Sequence, residues 1–429
     1  MTYEETLHYL FTRLPMFSRI GAAAYKKDLT NTIALCDYIG NPQDQFKTIH
    51  IAGTNGKGST SHMLAAILQT GGYKTGLYTS PHLRDFRERF RINGVMIEKD
   101  FIMDFTRRIQ PAIDQIEPSF FEITVAMTFD YFAQQGVDIA VIETGLGGRL
   151  DSTNIITPEL SIITNIGWDH MNLLGNTLEE IAFEKAGIIK PGIPVVIGET
   201  VPATRKVFEA IAAERQSPLL FADQLRYVTD WKYEHHELKV QVTRNGHDER
   251  TAYRLDLPGN YQTKNLVTVL EGVDQLQQLG WQLPLETVQE ALHQVKALTG
   301  LHGRWELIHR HPTVVLDVGH NEDGMRQIVS QIELTNYNHL HIVIGMVKDK
   351  EIEKVLQQLP REAAYYFTKA QIPRALPEDQ LAAQAATHDL HGQAYGDVNT
   401  ALKAALYKAH KDDLIIVCGS VFVVGEVAI

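Results

Sequence analysis

The chain has 429 residues, and at about 150 residues per domain this length predicts two or three domains. Its 40 Lys and Arg residues against 52 Asp and Glu give a formal net charge of −12, which argues against a general electrostatic grip on nucleic acid or on an anionic bilayer. The composition, 44% hydrophobic and 21% charged, is ordinary for a globular protein, and no apolar run approaches the roughly 18 residues that span lipid. Any phosphate that the chain binds therefore needs a local site.

Cysteine usage and the first residues indicate a compartment. Cys36 and Cys418 lie at opposite ends of the sequence and offer neither a disulfide framework nor zinc-ligand spacing. Residues 1–5 carry acids where a secretory signal would have a basic region followed by an apolar stretch. We therefore expect a cytoplasmic protein that binds neither membrane nor nucleic acid.

The chain begins with about 45 residues of helical pattern, and from about residue 48 short apolar runs alternate with helices and Gly-rich turns. This alternation predicts an α/β sheet with crossover helices. The predicted buried strands are β-branched and largely uncharged, as central parallel strands should be; they cover residues 48–52, 137–142, 160–166 and 193–197. Between about residues 225 and 257 the pattern changes to strict alternation around Asn245-Gly246, which predicts a β-hairpin.

A second alternating block follows Gly300 and predicts a smaller, doubly wound domain. Its predicted strands cover residues 313–317, 341–345, 364–368 and 414–418, with helices over 349–359 and 400–410. The predicted organisation is an α/β protein with an N-terminal domain, residues 1–298, and a smaller C-terminal Rossmann-like domain, residues 299–429.

A glycine-rich segment lies between the predicted strand at 48–52 and a helical run at 61–69, and it reads Gly53, Thr54, Asn55, Gly56, Lys57, Gly58, Ser59. Such a turn lets backbone amides converge on phosphate oxygens at a helix N-terminus, while a lysine adds charge and a hydroxyl can reach Mg²⁺. Gly58 separates Lys57 from Ser59, so the segment departs from the general P-loop spacing. The alternative is a strand-to-helix turn without a ligand, which the lysine and hydroxyl disfavour.

Two further side chains follow predicted strands. Glu143 ends the strand that begins at residue 137, at the sheet edge where ligands bind, and is a candidate Mg²⁺ ligand. His170 follows the next strand, so we expect both to leave neighbouring strand ends and to face the phosphates. A turn-capping acid and a structural histidine are the alternatives, and for the histidine the two readings are evenly balanced because Mg²⁺ prefers oxygen.

Lys185 lies near the end of an amphipathic helix that stops at Gly187. From residue chemistry alone, the favoured interpretation is a cation that stabilises a helix C-terminus.

Several motifs, in one order and over nearly the whole chain, resemble the folylpolyglutamate synthase and dihydrofolate synthase family of the Mur-ligase superfamily. Besides the glycine-rich segment they are found at residues 78–83, 143–154, 169–170, 185–190, 261–265, 303–306 and 317–321. The resemblance implies a P-loop, Mur-ligase-like central ATPase domain joined to the Rossmann-like domain. It also implies that ATP lies in the cleft between the two domains.

The resemblance assigns a role to each matching position. Mg²⁺, in two ions, would be held by Ser59, Ser80, Glu143 and His170, with a carbamate formed from CO₂ on Lys185. Nucleotide contacts would come from Asn265, Arg304 and Asp317. Lys57 and Arg304 would neutralise charge during phosphoryl transfer, and His320 would position groups or bind glutamate. Pterin-binding positions would be Ala22, Ala23, Phe121, Glu122, Leu150, Asp151 and Ser152, although core packing explains Phe121 equally well.

The implied reaction is ATP-dependent ligation of L-glutamate to a pterin carboxylate through an acyl phosphate. The acceptor would be dihydropteroate, a reduced folate, or both; residues 148–151 resemble the bifunctional bacterial enzymes, and the family resemblance also suggests a monomer. One rival is a Mur-type ligase acting on a UDP-sugar peptide, which usually has a domain before its phosphate loop. The other is a non-catalytic nucleotide switch.

Overall fold

The computed structural model describes residues 1–16, 28–234, 236–348 and 350–428. Contacts divide the chain into two compact units: unit 1 is Met1–Gly167, Met171–Asp256 and Gln262–Leu301, and unit 2 is Trp168–His170, Leu257–Tyr261 and His302–Ile429. The predicted division at 298/299 treated each domain as one continuous stretch. Two short segments of the first stretch instead group with unit 2.

Unit 1 is built on an eight-stranded sheet. The strands are β1 (Lys47–Ala52), β2 (Thr75–Tyr78), β3 (Phe90–Ile92), β4 (Val95–Met96), β5 (Ile139–Glu143), β6 (Leu160–Ile163), β7 (Val195–Ile197) and β8 (Leu219–Phe221). Their order is β4-β3-β2-β5-β1-β6-β7-β8, and all pairings are parallel except those that β3 makes with β2 and β4 near one edge. Every residue of β5, β6 and β7 is buried, which explains their nearly continuous apolar sequence.

The described part of unit 1 also contains a set of α-helices. They are α1 (Tyr3–Arg13), α2 (Thr30–Tyr38), α3 (Lys57–Thr70), α4 (Lys99–Ile116), α5 (Phe120–Gln134), α6 (Met171–Leu174), α7 (Leu178–Ala186), α8 (Pro202–Arg215), α9 (Ala222–Leu225), α10 (Gln262–Gln278), α11 (Leu285–Leu292) and α12 (Val295–Thr299). Helix α5 begins with a capping box in which Ser119 and Glu122 satisfy each other's backbone amides. Among the described residues no helix is long and apolar enough to cross a membrane.

A separate three-stranded antiparallel sheet belongs to unit 1 and consists of β9 (Arg226–Glu234), β10 (Glu237–Arg244) and β11 (Arg250–Leu255). The predicted hairpin is confirmed, with Gly246 in a left-handed conformation, φ 80°, as a tight turn requires. Strand β9 was not predicted. It lies within the alternating region predicted at residues 225–257 but was not assigned there as a strand of its own, and it forms an edge of the sheet with mostly exposed side chains.

Unit 2 contains a six-stranded sheet in the order β12-β13-β17-β14-β15-β16, with β12 antiparallel at one edge. These strands are β12 (Glu306–Arg310), β13 (Thr313–Leu316), β14 (Leu340–Ile344), β15 (Ala363–Phe367), β16 (Gly392–Ala394) and β17 (Leu414–Cys418), and the helices are α13 (Glu322–Glu333), α14 (Ile352–Leu356), α15 (Glu378–Ala386), α16 (Val398–Lys408) and α17 (Val421–Gly425). The four strands predicted here are confirmed to within a residue at each end. The helix predicted over 349–359 is shorter than expected.

Candidate active site

The glycine-rich segment between β1 and α3, called the phosphate loop below (residues 53–59), has no room for larger residues. Gly53 has φ 149°, and a Cβ there would lie 1.9 Å from Thr164 Oγ1. Gly56 has φ 86°, and a Cβ there would lie 2.3 Å from Asn265 Oδ1. Both glycines are therefore required by close approach as well as by backbone conformation.

Two polar residues that follow β6 hold the phosphate loop in shape. The amides of Thr54 and Asn55 donate to the Asn165 carbonyl at 3.0 Å and to Asn165 Oδ1 at 2.8 Å. Thr164 Oγ1 donates to the Asn55 carbonyl at 2.6 Å. Our sequence analysis missed Thr164 and Asn165, because the predicted strand ran to residue 166 whereas β6 ends at Ile163. Their signal was the change from apolar to polar side chains within that run.

Two lysines converge on the phosphate loop. Lys57 Nζ lies 3.1 Å from the Gly53 carbonyl and 3.2 Å from the Thr54 carbonyl. Lys185, at the end of α7, is only 4% exposed, and its Nζ donates to the same Gly53 carbonyl at 2.9 Å. Lys185 thus lies in the last turn of its helix, as the simpler interpretation required, but its ammonium contacts the loop.

Ser59 is held by residues of α10. Gln262 Nε2 donates to Ser59 Oγ at 3.1 Å, and Asn265 Nδ2 donates to Gln262 Oε1 at 2.8 Å. Asn265 and Ser59 therefore belong to one hydrogen-bonded chain beside the phosphate loop. Gln262, which links them, had no role in our sequence analysis, although it lies within the motif at 261–265.

Glu143 is the last residue of β5 and pairs in register with Ile51 of β1, next to the phosphate loop. It is 5% exposed, and the Ser80 amide donates to its Oε2 at 3.1 Å, so these two predicted metal ligands are adjacent. Our prediction that Glu143 and His170 leave neighbouring strand ends is wrong. Strand β1 lies between β5 and β6, and His170 groups with unit 2.

In unit 2, the buried carboxylate of Asp169 is in contact with several nitrogen-bearing side chains. Lys350 Nζ donates to Asp169 Oδ1 and lies 3.2 Å from His170 Nε2. Asp169 Oδ2 accepts from Asn321 Nδ2 at 3.3 Å and lies 3.4 Å from His320 Nε2. Burial alone would raise the pKa of Asp169, but the positively charged neighbours hold that pKa well below its ordinary value. Lys350 was not singled out from the sequence.

Asp317, at the end of β13, is also buried and fully engaged. Its Oδ2 accepts from Tyr261 Oη at 2.7 Å and from the Trp305 amide at 2.9 Å, and its Oδ1 accepts from the Gly319 amide at 2.9 Å. Burial raises the pKa of the Asp317 carboxyl. Arg304 is half-buried beside this cluster, and one of its guanidinium nitrogens donates to the Gly303 carbonyl at 3.2 Å.

The segment that follows β5, called the Gly145 loop below (residues 145–152), contains the predicted pterin positions Leu150, Asp151 and Ser152. Asp151 Oδ2 accepts from the Leu146 amide at 2.7 Å, and its Oδ1 accepts from the Thr153 amide at 3.0 Å. Asp151 is 2% exposed, and its carboxylate accepts hydrogen bonds from neighbouring backbone amides.

The other predicted pterin positions lie on or near α5. The ring of Phe121 lies against Gly145, where a Cβ would be 2.4 Å from Phe121 Cζ. Glu122 is the capping-box acid of α5 and is buried. Ala22 and Ala23 lie outside the described residues.

Comparison with known proteins places these observations in a family. Two family models match the chain: the Mur ligase middle domain over residues 51–271 and the Mur ligase glutamate ligase domain over residues 303–421. A dihydrofolate synthase/folylpolyglutamate synthase of Bacillus subtilis is 32% identical over 438 residues, which cover 99% of this chain and 98% of that protein. The chain belongs to the folylpolyglutamate synthase and dihydrofolate synthase family, within the Mur ligases.

One further relative and one solved structure show how much of this family member is shared with known proteins. A probable bifunctional folylpolyglutamate synthase/dihydropteroate synthase of Haloferax volcanii is 33% identical over 443 residues, and the chain spans about half of that protein, 50%. A solved structure of Escherichia coli FolC in complex with DHPP and ADP is 26% identical, with a TM-score of 0.85 over 99% of this chain and 96% of that one. The predicted Mur-ligase-like α/β fold is confirmed.

The predicted Mg²⁺ ligands of unit 1 offer oxygen atoms. Among the described residues no three His, Cys, Asp or Glu side chains gather into a metal site. The predicted oxygen ligands in unit 1 are the Glu143 carboxylate, which accepts from the Ser80 amide, and the Ser59 hydroxyl, which accepts from Gln262 Nε2. These are hard oxygen ligands of the kind that Mg²⁺ takes together with phosphate oxygens and water.

A buried guanidinium lies near Glu143, and sequence analysis missed it. Arg89 Nε donates to His82 Nδ1 at 2.8 Å, and the guanidinium carbon lies 5.5 Å from the centre of the Phe120 ring. Among the described residues no carboxylate forms an ion pair with Arg89. Burial and the charge of Arg89 lower the pKa of His82 to about 3, so the imidazole is neutral and can accept this bond. The motif at residues 78–83 contained His82, but Arg89 lies beyond it.

Proposed function

We propose that this chain uses ATP to ligate L-glutamate to the carboxylate of a pterin substrate, either dihydropteroate or a reduced folate. The observation that carries the proposal is the phosphate loop, where Lys57 and the buried Lys185 both contact the Gly53 carbonyl in a chain that matches a dihydrofolate synthase/folylpolyglutamate synthase from end to end. A second acceptor is proposed because that relative is named for both activities.

The chemistry proceeds in two steps. The pterin carboxylate attacks the γ-phosphoryl group of ATP and gives an acyl phosphate and ADP. The α-amino group of L-glutamate then attacks the activated carbonyl, loses a proton and expels phosphate, which leaves an amide. The phosphate-loop amides at the start of α3 and the Lys57 ammonium bind the phosphate oxygens and stabilise the charge that develops on them.

Ser59, Ser80 and Glu143 would hold Mg²⁺ in unit 1, with His170 as a further ligand. When bound, the ion neutralises phosphate charge and polarises the phosphorus–oxygen bond that breaks. Gln262 Nε2 donates to Ser59 Oγ. This bond uses one lone pair of the hydroxyl oxygen and fixes the direction of the other. Asn265, Arg304 and Asp317 are proposed nucleotide contacts, and His320 a glutamate-positioning residue.

Lys185 is proposed to carry a carbamate. The Lys185 ammonium first loses a proton; the neutral amine then attacks CO₂, an N–C bond forms while one C=O π pair moves to oxygen, and the nitrogen releases a second proton. The cation thereby becomes an anion with two oxygen donors, which Mg²⁺ prefers. A carbamate nitrogen keeps one N–H, enough to preserve the bond that Nζ makes to the Gly53 carbonyl at 2.9 Å.

The acceptor would bind beside the Gly145 loop. Phe121 can stack an aromatic face against the flat pterin ring, and it already lies against Gly145. Leu150 and Ser152 lie on the same loop, and Glu122 fixes the start of the helix that carries Phe121. Asp151 stabilises the loop by accepting hydrogen bonds from the Leu146 and Thr153 amides.

The test is turnover with defined acceptors. The purified chain is incubated with ATP, Mg²⁺ and L-glutamate, and dihydropteroate, tetrahydrofolate or a UDP-sugar peptide is offered separately while ADP is measured and products are resolved by mass. We expect glutamate-dependent ADP release and a product one glutamyl residue heavier with each pterin acceptor. Nucleotide binding without such turnover would overturn the proposal in favour of a switch, and a product from the UDP-sugar peptide alone would favour a Mur-type ligase.

A further inference from the structure

A buried chain of hydrogen bonds connects β1 with the Gly145 loop. His50, in the middle of β1, has its Nε2 2.8 Å from Thr153 Oγ1, and Thr153 Oγ1 donates to Asp151 Oδ1 at 2.5 Å. All three side chains are buried. The bond at 2.5 Å is short, as expected of a hydroxyl that donates to a carboxylate.

The protons in this chain have one favourable arrangement. Thr153 has a single hydroxyl hydrogen, and an ionised Asp151 can only accept, so this hydrogen points to Asp151. His50 Nε2 must then carry a hydrogen and donate to Thr153. His50 Nδ1 is left as an unprotonated acceptor, and it has no partner among the described residues.

The reverse arrangement is disfavoured. It would place a proton on Asp151 and a hydrogen on His50 Nδ1, where the described part of the chain offers no acceptor. A buried N–H without a partner is rare in proteins, and the ionised carboxylate of the first arrangement is matched by three donors, the Leu146 amide, the Thr153 amide and the Thr153 hydroxyl. Burial, with a smaller contribution from the charge of Lys190, lowers the pKa of His50 to about 3, so the ring is neutral and carries a single N–H.

Each end of this chain is attached to a part of the site. His50 pairs in register with Ile142 of β5 and Ser161 of β6, so its backbone is fixed in the centre of the sheet, and β1 leads directly into the phosphate loop. At the other end, Asp151 accepts from the Leu146 amide. The Gly145 loop is therefore tied through three side chains to the strand that carries the phosphate loop.

We infer that His50 is a positioning residue for the acceptor: through Thr153 it fixes the Asp151 carboxylate, and thereby holds the Gly145 loop in the conformation that binds the pterin. The inference deepens the proposed function and rests on it. His50 and Thr153 touch no substrate in this scheme. Their loss should weaken pterin binding and leave nucleotide binding intact.

The experiment compares Thr153→Val with Thr153→Ser. Valine has nearly the shape of threonine but cannot donate, so the Michaelis constant for the pterin should rise about tenfold, the value of one buried hydrogen bond. The Michaelis constant for ATP and the dissociation constant of ADP should change less than about twofold. Serine keeps the hydroxyl and should restore pterin binding. Thr106→Val is the matched control, since Thr106 is equally buried and donates to the Ile102 carbonyl within α4.

Amide hydrogen exchange gives a readout that needs no turnover. In Thr153→Val the Leu146 amide should exchange faster than in the wild type, whereas Thr106→Val should leave it unchanged. His50→Gln, which can still donate from the position of Nε2, should behave like the wild type, and His50→Leu should behave like Thr153→Val.

These readouts separate the inference from the proposed function. If Thr153→Val binds the pterin normally, or raises both Michaelis constants equally, or if Thr153→Ser fails to restore binding, the inference is wrong. If Thr153→Val does not fold, the pair His50→Gln and His50→Leu decides by the same measures. A wild type without pterin-dependent turnover would overturn the proposed function, while the exchange of the Leu146 amide would still test the loop tether.

Discussion

The phosphate loop and the Gly145 loop both follow strands of the unit 1 sheet, but different forces hold them. The phosphate loop is confined by contact: Gly53 and Gly56 leave no space for a Cβ beside Thr164 and Asn265. The Gly145 loop is confined by one buried carboxylate, that of Asp151, which accepts several hydrogen bonds from its own chain. The first loop should therefore fail when atoms are added to it, and the second when a charge is removed.

The largest effect is expected from substitution of Lys185, because we propose that a carbamate replaces its positive charge at the phosphate loop with a negative one. Lys185→Arg keeps a cation of similar length near the Gly53 carbonyl but cannot form a carbamate. We expect no measurable ligase turnover in this variant and in Lys185→Ala, and a dependence of wild-type turnover on added bicarbonate. Labelled CO₂ should give a carbamate signal by ¹³C NMR in the wild type only.

The control for this prediction is Lys190→Arg, the same substitution five residues later. Lys190 donates to the Asn154 carbonyl at 2.8 Å and has no proposed catalytic role, so this variant should keep most of its activity. Near-normal turnover of Lys185→Arg would show that the lysine acts as a cation and that no carbamate is needed.

The steric side of the comparison is tested by Gly56→Ala. Its methyl group would meet Asn265 Oδ1 at 2.3 Å, and the left-handed backbone adds a strain of about 1–3 kcal/mol. We expect ATP affinity to fall about a hundredfold, as measured by titration calorimetry. Gly72→Ala is the matched control, because Gly72 has φ 88° and nothing within 4 Å of its added Cβ; it should lower the melting temperature slightly and leave ATP affinity unchanged. Equal losses in the two variants would mean that backbone strain, and not contact, limits the phosphate loop.

The electrostatic side of the comparison is tested by Asp151→Asn. An amide side chain offers one oxygen where the carboxylate offers two, so the NH₂ group must face the amide of either Leu146 or Thr153. We expect a loss of about 2 kcal/mol in the free energy of unfolding and a weaker affinity for the pterin, with ATP affinity unchanged. Asp230→Asn on the exposed face of β9 should change neither quantity. A stability equal to that of the wild type would show that the carboxylate does not hold the Gly145 loop.

This contrast also explains what the sequence could predict. Glycines confined by contact leave a readable pattern, because the strand, the turn residues and the following helix are contiguous from β1 to α3. The buried strands rich in β-branched residues were equally legible, since such runs without charge have few alternatives; the short buried strands β2 and β3 were not predicted. The phosphate-loop prediction therefore needed only local information.

Contacts between residues that are far apart in the sequence could not be predicted from local patterns. Gln262 is 203 residues from Ser59, and Lys350 is 181 residues from Asp169, so no local pattern links either pair. The strand order was misjudged for the same reason: β1 is inserted between β5 and β6, although β5 and β6 are consecutive in the chain. Arg89, a charged residue in a buried position, contradicts the usual rule that arginine is exposed.

A further expected effect is a pH dependence of stability, which reports on His50 at one end of the tether of the Gly145 loop. His50 has a pKa of about 3 in the folded chain, against an ordinary value of 6.5. Below pH 6.5 the unfolded chain therefore binds a proton that the folded chain does not, and stability falls as the pH falls. This loss has a limiting slope of about 1.4 kcal/mol per pH unit. The raised pKa of Asp151 acts in the opposite direction, but Asp151 is present in both the wild type and the His50 variant. The glutamine of His50→Gln cannot titrate. Urea denaturation from pH 7 to pH 4.5 should therefore show that the wild type loses more free energy of unfolding than His50→Gln as the pH falls. If the two stability curves run parallel, His50 ionises with its ordinary pKa and is not sealed in the sheet, and the Gly145 loop then depends on Asp151 alone.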